Sequence, residues 1–461
     1  MAIAGGHNCS FVFSSRVGSI FRRFGYALAA FVLAVLVLSM AGCIGGKSSN
    51  QTQDDVLTIT LWHPWGGSSK EKLASVVREF NRTHSEFHVR ASFCPTDLDS
   101  SQKFFTSVAA NKPPDVTFVA GDQTAAYAEQ GALQPLDSFI KEAGIRPEDF
   151  FTPCWLQSYY KNHVWSMAYC ADPNFAFAWN KKVFRDCGLD PEKPPRTIAE
   201  VDKYNDIISR VDGDKITRIG IIPWQQFSSA NATFTWGWAF GGSFFDPKSN
   251  KITCNEPKVL KAVEWMVSYG KKYDITKVNA FASGFGSRDQ NPFYTGQIGM
   301  TCLFISQLED IKEYAPNLDY GLTFIPAPPD GEQNSSWVGG WCLAIPKGSK
   351  HPKEAWEFIR WCCRDPKGTT VVCRIQGLLP GYRKSPYLDE VRHKPGYDQF
   401  VRILELSKHQ RPRMPAQSFY MGALNRAIDY SLYGTLTCKQ AMDNAAKDTQ
   451  RELNLRLAGG R

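Results

Sequence analysis

The sequence VLTITLWHPWGG, residues 56–67, contains the pattern from which the fold can be worked out. Leu57, Ile59 and Leu61 are apolar at every second position, which is the period of a half-buried strand. A proline and two glycines end this pattern shortly after Trp62 and His63. The stretch therefore predicts the first strand of a sheet, with two aromatic side chains at its carboxyl end.

Helical and extended patterns alternate along the chain after this strand. Ser68 or Ser69 is expected to cap a helix, because apolar residues recur at helical spacing up to Phe80. The segments that follow are a strand at 87–93, a helix around 104–108, a strand at 115–119 and a helix at 123–130. This alternation predicts a parallel, doubly wound α/β sheet with right-handed crossovers.

Ligands of such sheets bind beyond the carboxyl ends of the strands. Two strand ends should therefore lie near each other and near a ligand, Trp62-His63 and Gly121-Asp122-Gln123.

A second α/β region begins near Asp172. Its expected elements are a strand at 175–179, helices at 198–210 and 259–271, and a strand at 298–305. Residues 326–340 form a loop rich in Pro, Gly and polar residues, where the chain could change domains. A strand at 341–345, a helix at 352–363 and a largely helical tail at 416–457 complete the chain.

Composition excludes some classes of function. The chain of 461 residues has a net charge of +8, and three of its arginines lie in the first 42 residues, so the remainder carries +5. No Lys/Arg run accompanies this excess, so we expect no nucleic-acid partner. All 13 tryptophans lie beyond the first 42 residues, and we expect about half of them to line a binding surface.

The N-terminal segment has the layout of a secretory signal. Arg22 and Arg23 precede the apolar run 26–40, which ends in Ala41-Gly42-Cys43. The run is shorter than the ~20 residues that span a bilayer. The segment resembles a bacterial lipoprotein signal, with Met40 where that signal usually has Leu. The resemblance implies cleavage after residue 42, a lipid on Cys43 and a flexible tether at 43–55; an uncleaved signal anchor is the alternative.

Apart from Cys9 and Cys43, the chain has eleven cysteines, and these do not match a metal site. No C-x-x-C occurs, and the adjacent pair Cys362-Cys363 fits no zinc spacing. An odd number cannot all pair, and several lie in apolar runs, so we expect them to be buried as small hydrophobic residues. We expect neither a metal nor a cofactor.

Five stretches, taken in order, are similar to the family-1 extracellular solute-binding proteins, the sugar-binding components of ABC importers. They are ITLWH (59–63), PDV (114–116) with GALQPL (131–136), WNKKVF (179–184), GGWCLAIPK (339–347) with AWEF (355–358), and RPRMP (411–415). Any one of them is a weak signal, whereas five in the same order span nearly the whole chain.

The resemblance implies a two-lobe periplasmic-binding-protein fold of type II. Each lobe would be a doubly wound sheet with helices on both faces, and a hinge of several strands would join the lobes. By analogy the N-terminal lobe holds 56–171 plus 341–375, and the C-terminal lobe holds 172–340 plus 376–461. The implied protein is a monomer outside the cytoplasmic membrane that carries a carbohydrate to a permease.

The candidate ligand-binding residues are aromatic or charged, because sugars present both C–H faces and hydroxyls. The resemblance places an acid at Asp122 and a polar contact at Asp172; Asp122 could equally be a helix N-cap. Trp236 and Trp238 are expected to face one side of a strand, so one of them could be core. The other candidates are Trp62, His63, Phe304, Trp337, Trp341 and Arg383. Phe304 stands where many relatives have a Trp, which leaves the size of the sugar open.

Two other functions remain open at this point. A lipid-anchored carbohydrate-active enzyme would need a catalytic motif, and no G-x-S-x-G, P-loop or H-E-x-x-H is present. A pair of catalytic carboxylates cannot be recognised from sequence, because it depends on geometry. A binding protein that reports to a membrane sensor would look the same as one that serves an importer. We expect binding without catalysis.

Overall fold

Strand β1, Thr58–His63, forms where the alternating pattern predicts it. Ile59, Leu61 and His63 are buried on one face, while Thr60 and Trp62 on the other face are partly exposed. The computed structural model describes residues 56–94, 101–225, 228–286 and 288–459. The signal segment, Cys43 and the tether lie outside the described residues.

The first part of the chain alternates strands and helices as expected. Its elements are β1, α1 (Gly67–Thr83), β2 (His88–Phe93), α2 (Ser101–Ala109), β3 (Val116–Ala120), α3 (Thr124–Glu129), α4 (Asp137–Glu142), α5 (Thr152–Ser158), β4 (Tyr159–Tyr160), β5 (His163–Val164) and β6 (Met167–Ala168). Helix α1 begins earlier than predicted, with Gly66 as its N-cap, so that Ser68 and Ser69 lie in its first turn.

The middle of the chain forms a second group of elements. They are β7 (Asp172–Asn174), β8 (Ala176–Asn180), α6 (Lys181–Asp186), α7 (Ile198–Ile208), β9 (Arg210–Asp212), β10 (Lys215–Arg218), α8 (Ser229–Ala239), β11 (Phe245–Asp246), β12 (Lys251–Ile252), α9 (Pro257–Tyr273), α10 (Ile275–Ser283), β13 (Met300–Leu303), α11 (Gln307–Tyr314) and β14 (Tyr320–Thr323).

The last part returns to the first sheet and ends in helices. Its elements are β15 (Trp337–Gly339), β16 (Trp341–Ala344), α12 (Pro352–Cys363), α13 (Pro366–Gln376), α14 (Tyr387–Val391), α15 (Tyr397–Leu406), α16 (Gln417–Leu432) and α17 (Cys438–Gly459). Among the described residues, no helix combines the length and the apolar character that a membrane span requires.

Two sheets organise these elements. The first has the strand order β2-β1-β3-β16-β6, in which β1 is parallel to β2 and β3, as predicted, and β16 is antiparallel to β3 and β6. The second has the order β13-β8-β14 and is antiparallel throughout. Each sheet has its own apolar core, around Leu61 and Phe358 in the first and around Phe234 and Met266 in the second.

The chain passes between the two sheets along a pair of antiparallel strands. Strand β7 leads from the first sheet to the second and pairs with β15, which leads back. Gly340 follows β15 with a φ of +134°, and a Cβ there would lie 2.5 Å from the Cys170 carbonyl oxygen. Only glycine fits this close crossing.

The cysteines behave largely as expected. Of the eleven in the region 56–459, ten are buried and Cys187 is partly exposed. Burial raises the pKa of thiols such as Cys154 and Cys362, so that they remain neutral.

Candidate functional site

A cleft of about 800 Å³ lies where β7 and β15 cross between the sheets. Ring systems line it, together with carboxylates, amides and a guanidinium. Its walls come from strand ends of the first sheet, from β7 and β15, and from helices α8 and α16. The cleft therefore occupies the strand-end position at which the sequence predicts a ligand.

Asp122 lies in the turn directly after β3 and faces the cleft. Its side chain is 6% exposed, and its Oδ2 atom lies 3.1 Å from Nη1 of Arg411. The turn is tight because Gly121 donates its N–H to the Gly340 carbonyl at 3.0 Å. A Cβ at position 121 would lie 1.8 Å from Oε1 of Gln157, so any larger residue would force the Gln157 side chain to move.

Arg411 contacts a second cleft residue on its other side. Its guanidinium lies over the ring of Trp337, 5.3 Å from the centroid. Trp337 is 2% exposed, and its indole N–H donates to Thr235 Oγ1 at 3.0 Å, which fixes the ring. A guanidinium held between a carboxylate and an indole keeps a defined position with N–H groups near the cleft.

Two oxygen atoms of the cleft have no hydrogen-bond partner within the described chain. They are Oδ1 of Asp172 in β7 and Oδ1 of Asn231 in the first turn of α8. Burial raises the pKa of Asp172 to about 6, although the positive charge of Arg411 works against this rise. Buried acceptors are almost always satisfied, so we expect these two oxygens to accept hydrogen bonds from a ligand or from bound water.

An aromatic wall stands on the side of the first sheet. Trp65 and Trp341 meet edge to face with centroids 5.5 Å apart, and Trp341 is partly exposed to the cleft. The backbone N–H of Trp65 donates to Nδ1 of His63 at 3.3 Å. Burial and the nearby Lys70 lower the pKa of His63, so its imidazole stays neutral and can accept this bond.

Side chains also connect the two sides of the cleft directly. Ser418 Oγ donates to Gln123 Oε1 at 2.7 Å, and Arg413 Nη1 donates to the Tyr159 carbonyl at 2.8 Å. With the Asp122–Arg411 pair, these contacts join the strand-end turn after β3 to α16 and the segment before it.

The structure brings together five of the residues that the sequence singles out. Asp122, Asp172, Phe304, Trp337 and Trp341 all line the cleft. Whether they contact a ligand stays a prediction.

Trp62 and His63 lie beside the cleft and do not line it. His63 is 2% exposed because it continues the buried face of β1. Trp62 points to the opposite face, where Lys103 Nζ lies 5.0 Å from its ring centroid. The aromatic residue that reaches the cleft from this strand end is Trp65.

The expected strand at Trp236 and Trp238 is wrong, because both lie on helix α8. The alternation of large residues resembles a strand, but the helix is buried on every side and so carries no helical stripe. Trp236 has no exposed surface and donates its indole N–H to the Pro223 carbonyl at 2.9 Å. Trp238 stacks on His409, with centroids 4.9 Å apart, and does not line the cleft.

Arg383 also lies away from the cleft. Its Nε donates to the Phe150 carbonyl at 2.9 Å, and its guanidinium covers the ring of Phe151.

Most of the other lining residues were not singled out from the sequence, and Trp65, Arg411 and Asn231 are among them. Trp65 lies within the opening stretch and Arg411 begins the RPRMP segment. Both residues therefore belong to segments that the sequence marks as important. Asn231 carries no signal in the sequence. Its place follows from Ser228, which caps α8 by accepting the Asn231 N–H and so fixes the first turn.

Known proteins resemble this chain in sequence and in structure. The family described as bacterial extracellular solute-binding protein matches residues 66–365. The sn-glycerol-3-phosphate-binding periplasmic protein UgpB of Pectobacterium atrosepticum is 23% identical over 433 residues, covering 89% of this chain and 94% of its own.

Solved structures agree with the fold described above. CpMnBP1 with mannotriose bound has a TM-score of 0.75 at 28% identity, covering 85% of this chain and all of its own. Maltose-bound T. maritima MalE3 has a TM-score of 0.68 at 17% identity, covering 86% and all of its own chain. The architecture is thus the two-lobe, type II periplasmic-binding-protein fold. The lobe boundaries given above stay a prediction.

Proposed function

Since this chain belongs to the bacterial extracellular solute-binding proteins, we propose that it captures a neutral carbohydrate in the cleft for delivery to an ABC importer. One observation carries the choice of ligand. Two buried acceptors, Asp172 Oδ1 and Asn231 Oδ1, lack partners in a cleft that also presents aromatic rings. Sugar hydroxyls can donate to the acceptors while sugar C–H faces cover the rings.

A phosphorylated polyol is the competing ligand, because UgpB relatives are named for sn-glycerol-3-phosphate. A phosphate would need cations, and among the described lining residues these are Lys72, which donates to the Gln376 carbonyl, and Arg411. Its guanidinium is already paired with Asp122, and Asp172 lies close enough for the two charges to interact. Two carboxylates would repel a dianion, and a cleft of about 800 Å³ is roomy for so small a ligand. The two carboxylates and the two cations among the described lining residues give the cleft no net charge, which favours a neutral sugar.

A thermal-shift screen tests the ligand class. Mono- and oligosaccharides, polyols, sn-glycerol 3-phosphate, amino acids and peptides are screened against the purified protein. A ligand at 100 times its Kd raises the free energy of unfolding by about 2.7 kcal/mol, which moves the melting temperature measurably. We expect neutral sugars to give the shifts. If sn-glycerol 3-phosphate alone raises the melting temperature, the ligand is a phosphorylated polyol and not a sugar.

A matched pair of tryptophan variants locates the binding. Trp341 and Trp155 are both partly exposed in the first lobe, but only Trp341 lines the cleft. Trp341→Leu should weaken sugar binding by about 1–2 kcal/mol, whereas Trp155→Leu should leave it unchanged. Equal effects would place the sugar elsewhere.

We also propose that this protein binds its ligand without turnover, and that a lipid on Cys43 holds it at the outer face of the membrane. Incubation with glycosides, followed by mass spectrometry, should release no product above a protein-free control.

Cys43→Ser should leave an unprocessed precursor or release the protein from the membrane fraction. Normal processing with membrane retention in that variant would favour an uncleaved anchor.

A further inference from the structure

A second cavity, of about 290 Å³, lies directly beside the cleft. Phe175 and Phe304 line both cavities, so the two spaces share a wall. The second cavity continues from that wall between β13, the end of α10 and the loop before α11. The side chain of Phe304, which is partly exposed, stands between the two spaces.

The chemistry of this side pocket differs from that of the cleft. Its polar groups are amides and a hydroxyl, contributed by Gln225, Asn291, Gln307 and Thr301. The rings of Phe285 and Phe293 add apolar surface. Among the described residues that line it, none carries a charge, whereas the cleft is lined by two carboxylates and two cations, Asp122, Asp172, Lys72 and Arg411.

Local hydrogen bonds hold the walls of the side pocket in place. The N–H of Phe304 donates to Gln307 Oε1 at 3.1 Å, which fixes the turn after β13. The N–H of Phe293 donates to Asn291 Oδ1 at 3.0 Å, which fixes the opposite loop. A pocket with walls fixed before binding loses little entropy when a ligand enters.

We propose that the side pocket is a second subsite, which takes a further unit of a neutral, linear oligosaccharide. This inference rests on the proposed function and adds the length of the ligand. Amides can both donate to and accept from hydroxyls, and the phenyl rings can cover a sugar face. An anionic unit would be excluded, because an unpaired charge is costly to bury in an uncharged pocket.

Two alanines of helix α10 provide a blocking variant and its control. Ala282 is partly buried and lines the side pocket, whereas Ala280 is exposed on the same helix and does not line it. Ala282→Phe should fill the pocket, and Ala280→Phe adds the same ring outside it. Thr301→Val is a milder variant that removes one hydroxyl at nearly constant volume.

Calorimetric titration with two probe series, mannose to mannotetraose and glucose to maltotetraose, tests the subsite. In the wild type we expect affinity to rise about tenfold at the length that first enters the side pocket. Ala282→Phe should abolish that rise and leave shorter sugars unaffected; Thr301→Val should reduce it, and Ala280→Phe should keep it.

The outcomes separate the two proposals. An affinity that does not depend on length in the wild type, or a step that survives in Ala282→Phe, would overturn the subsite while sugar binding stands. A loss of affinity for every length in a folded Ala282→Phe would also count against it. If neither these series nor any sugar of the thermal-shift screen binds the wild type, the proposed function fails, and the subsite fails with it.

Discussion

Arg411 lines the cleft, where it forms an ion pair with Asp122 and contacts the ring of Trp337. Replacement by Met keeps much of the stem and leaves Asp122, which is 6% exposed, without this counter-ion. We expect Arg411→Met to lower the free energy of unfolding by about 1–3 kcal/mol, measured by urea denaturation. The double variant with Asp122→Asn should lose less than the sum of the two single losses.

The exposed pair Arg82–Glu79 is the control for that measurement. Its atoms are 2.7 Å apart, closer than those of Arg411 and Asp122, but Arg82 is 70% exposed. We expect Arg82→Met to cost less than about 1 kcal/mol, because water and salt screen such pairs. A similar cost at the two arginines would mean that burial adds nothing to the Asp122–Arg411 pair.

Replacing Asp172 by Asn should change the ligand affinity and the stability of the protein in opposite directions. The pKa of Asp172 is about 6 in the folded protein and about 3.8 in an unfolded chain, so the folded state holds the proton more tightly. Its contribution to stability therefore falls as the pH rises from about 4 to about 6, and the loss persists at neutral pH. Asp172→Asn should thus stabilise the ligand-free protein at pH 7 by about 1–2 kcal/mol, because Arg411 only partly offsets the cost of burying the ionised carboxyl.

The same substitution should weaken sugar binding at pH 7 by roughly fivefold to thirtyfold, because a carboxylate is the stronger acceptor. Wild-type affinity should fall below about pH 6 as Asp172 becomes protonated, while the affinity of Asp172→Asn should stay level there. Calorimetry between pH 5 and 8 checks both curves. Parallel curves would show that Asp172 does not contact the ligand.

At the residue scale, the strand-end rule located Asp122 and Trp341 in the cleft, but it also indicated Trp62 and His63, which do not line the cleft. Asp122 and Trp341 follow or begin strands that pattern alone could identify. The burial of His63 also follows from the alternation of β1, once that face is known to pack inward. Trp236 could not be placed, because a helix buried on all sides has no polar face to mark its period.

At the scale of elements, the short connection between β15 and β16 positions both Trp337 and Trp341. Gly340 makes this connection with a φ of +134°, in close contact with the Cys170 carbonyl. Gly340→Ala should lower the free energy of unfolding by about 1–3 kcal/mol in urea denaturation, because the backbone must shift to admit a Cβ. It should also weaken sugar binding, since the two tryptophans would move.

Gly66 offers the matched control. It has a φ of −106°, and a Cβ there would meet nothing within 4 Å. Gly66→Ala should therefore cost only about 1 kcal/mol or less as a change of N-cap, with no effect on binding. A Gly340→Ala variant as stable as Gly66→Ala would mean that the crossing is not strained by a side chain.

The order of elements was largely predictable, whereas the pairing of strands was less so. Periodicity located β1, β2, β3, β8, β13 and β16 within a few residues. The antiparallel pairing of β16 in the first sheet, and of β13 and β14 around β8, depends on contacts between segments far apart in sequence. Local pattern cannot encode such pairing, and only the family resemblance indicated that the chain returns to its first sheet.

At the scale of the whole molecule, three contacts join the two predicted lobes across the cleft: Asp122–Arg411, Gln123–Ser418 and Tyr159–Arg413. Ligand binding should favour a closed arrangement of the lobes by joining the two walls, as hinge closure does in proteins of this architecture. Small-angle scattering should therefore show a smaller radius of gyration when the bound sugar is present at saturation. An unchanged radius would argue against closure on the ligand.

Arg413 allows closure to be separated from ligand contact. Its guanidinium donates to the Tyr159 carbonyl across the proposed lobe boundary, and Arg413 does not line the cleft. We expect this bond to form as the lobes close, so in Arg413→Met part of the binding energy must replace it. We expect sugar affinity to fall about threefold to tenfold, while the radius of gyration at saturation matches that of the wild type. If Arg413→Met and the surface variant Arg82→Met bind the sugar equally well, the Tyr159 contact plays no part in closure.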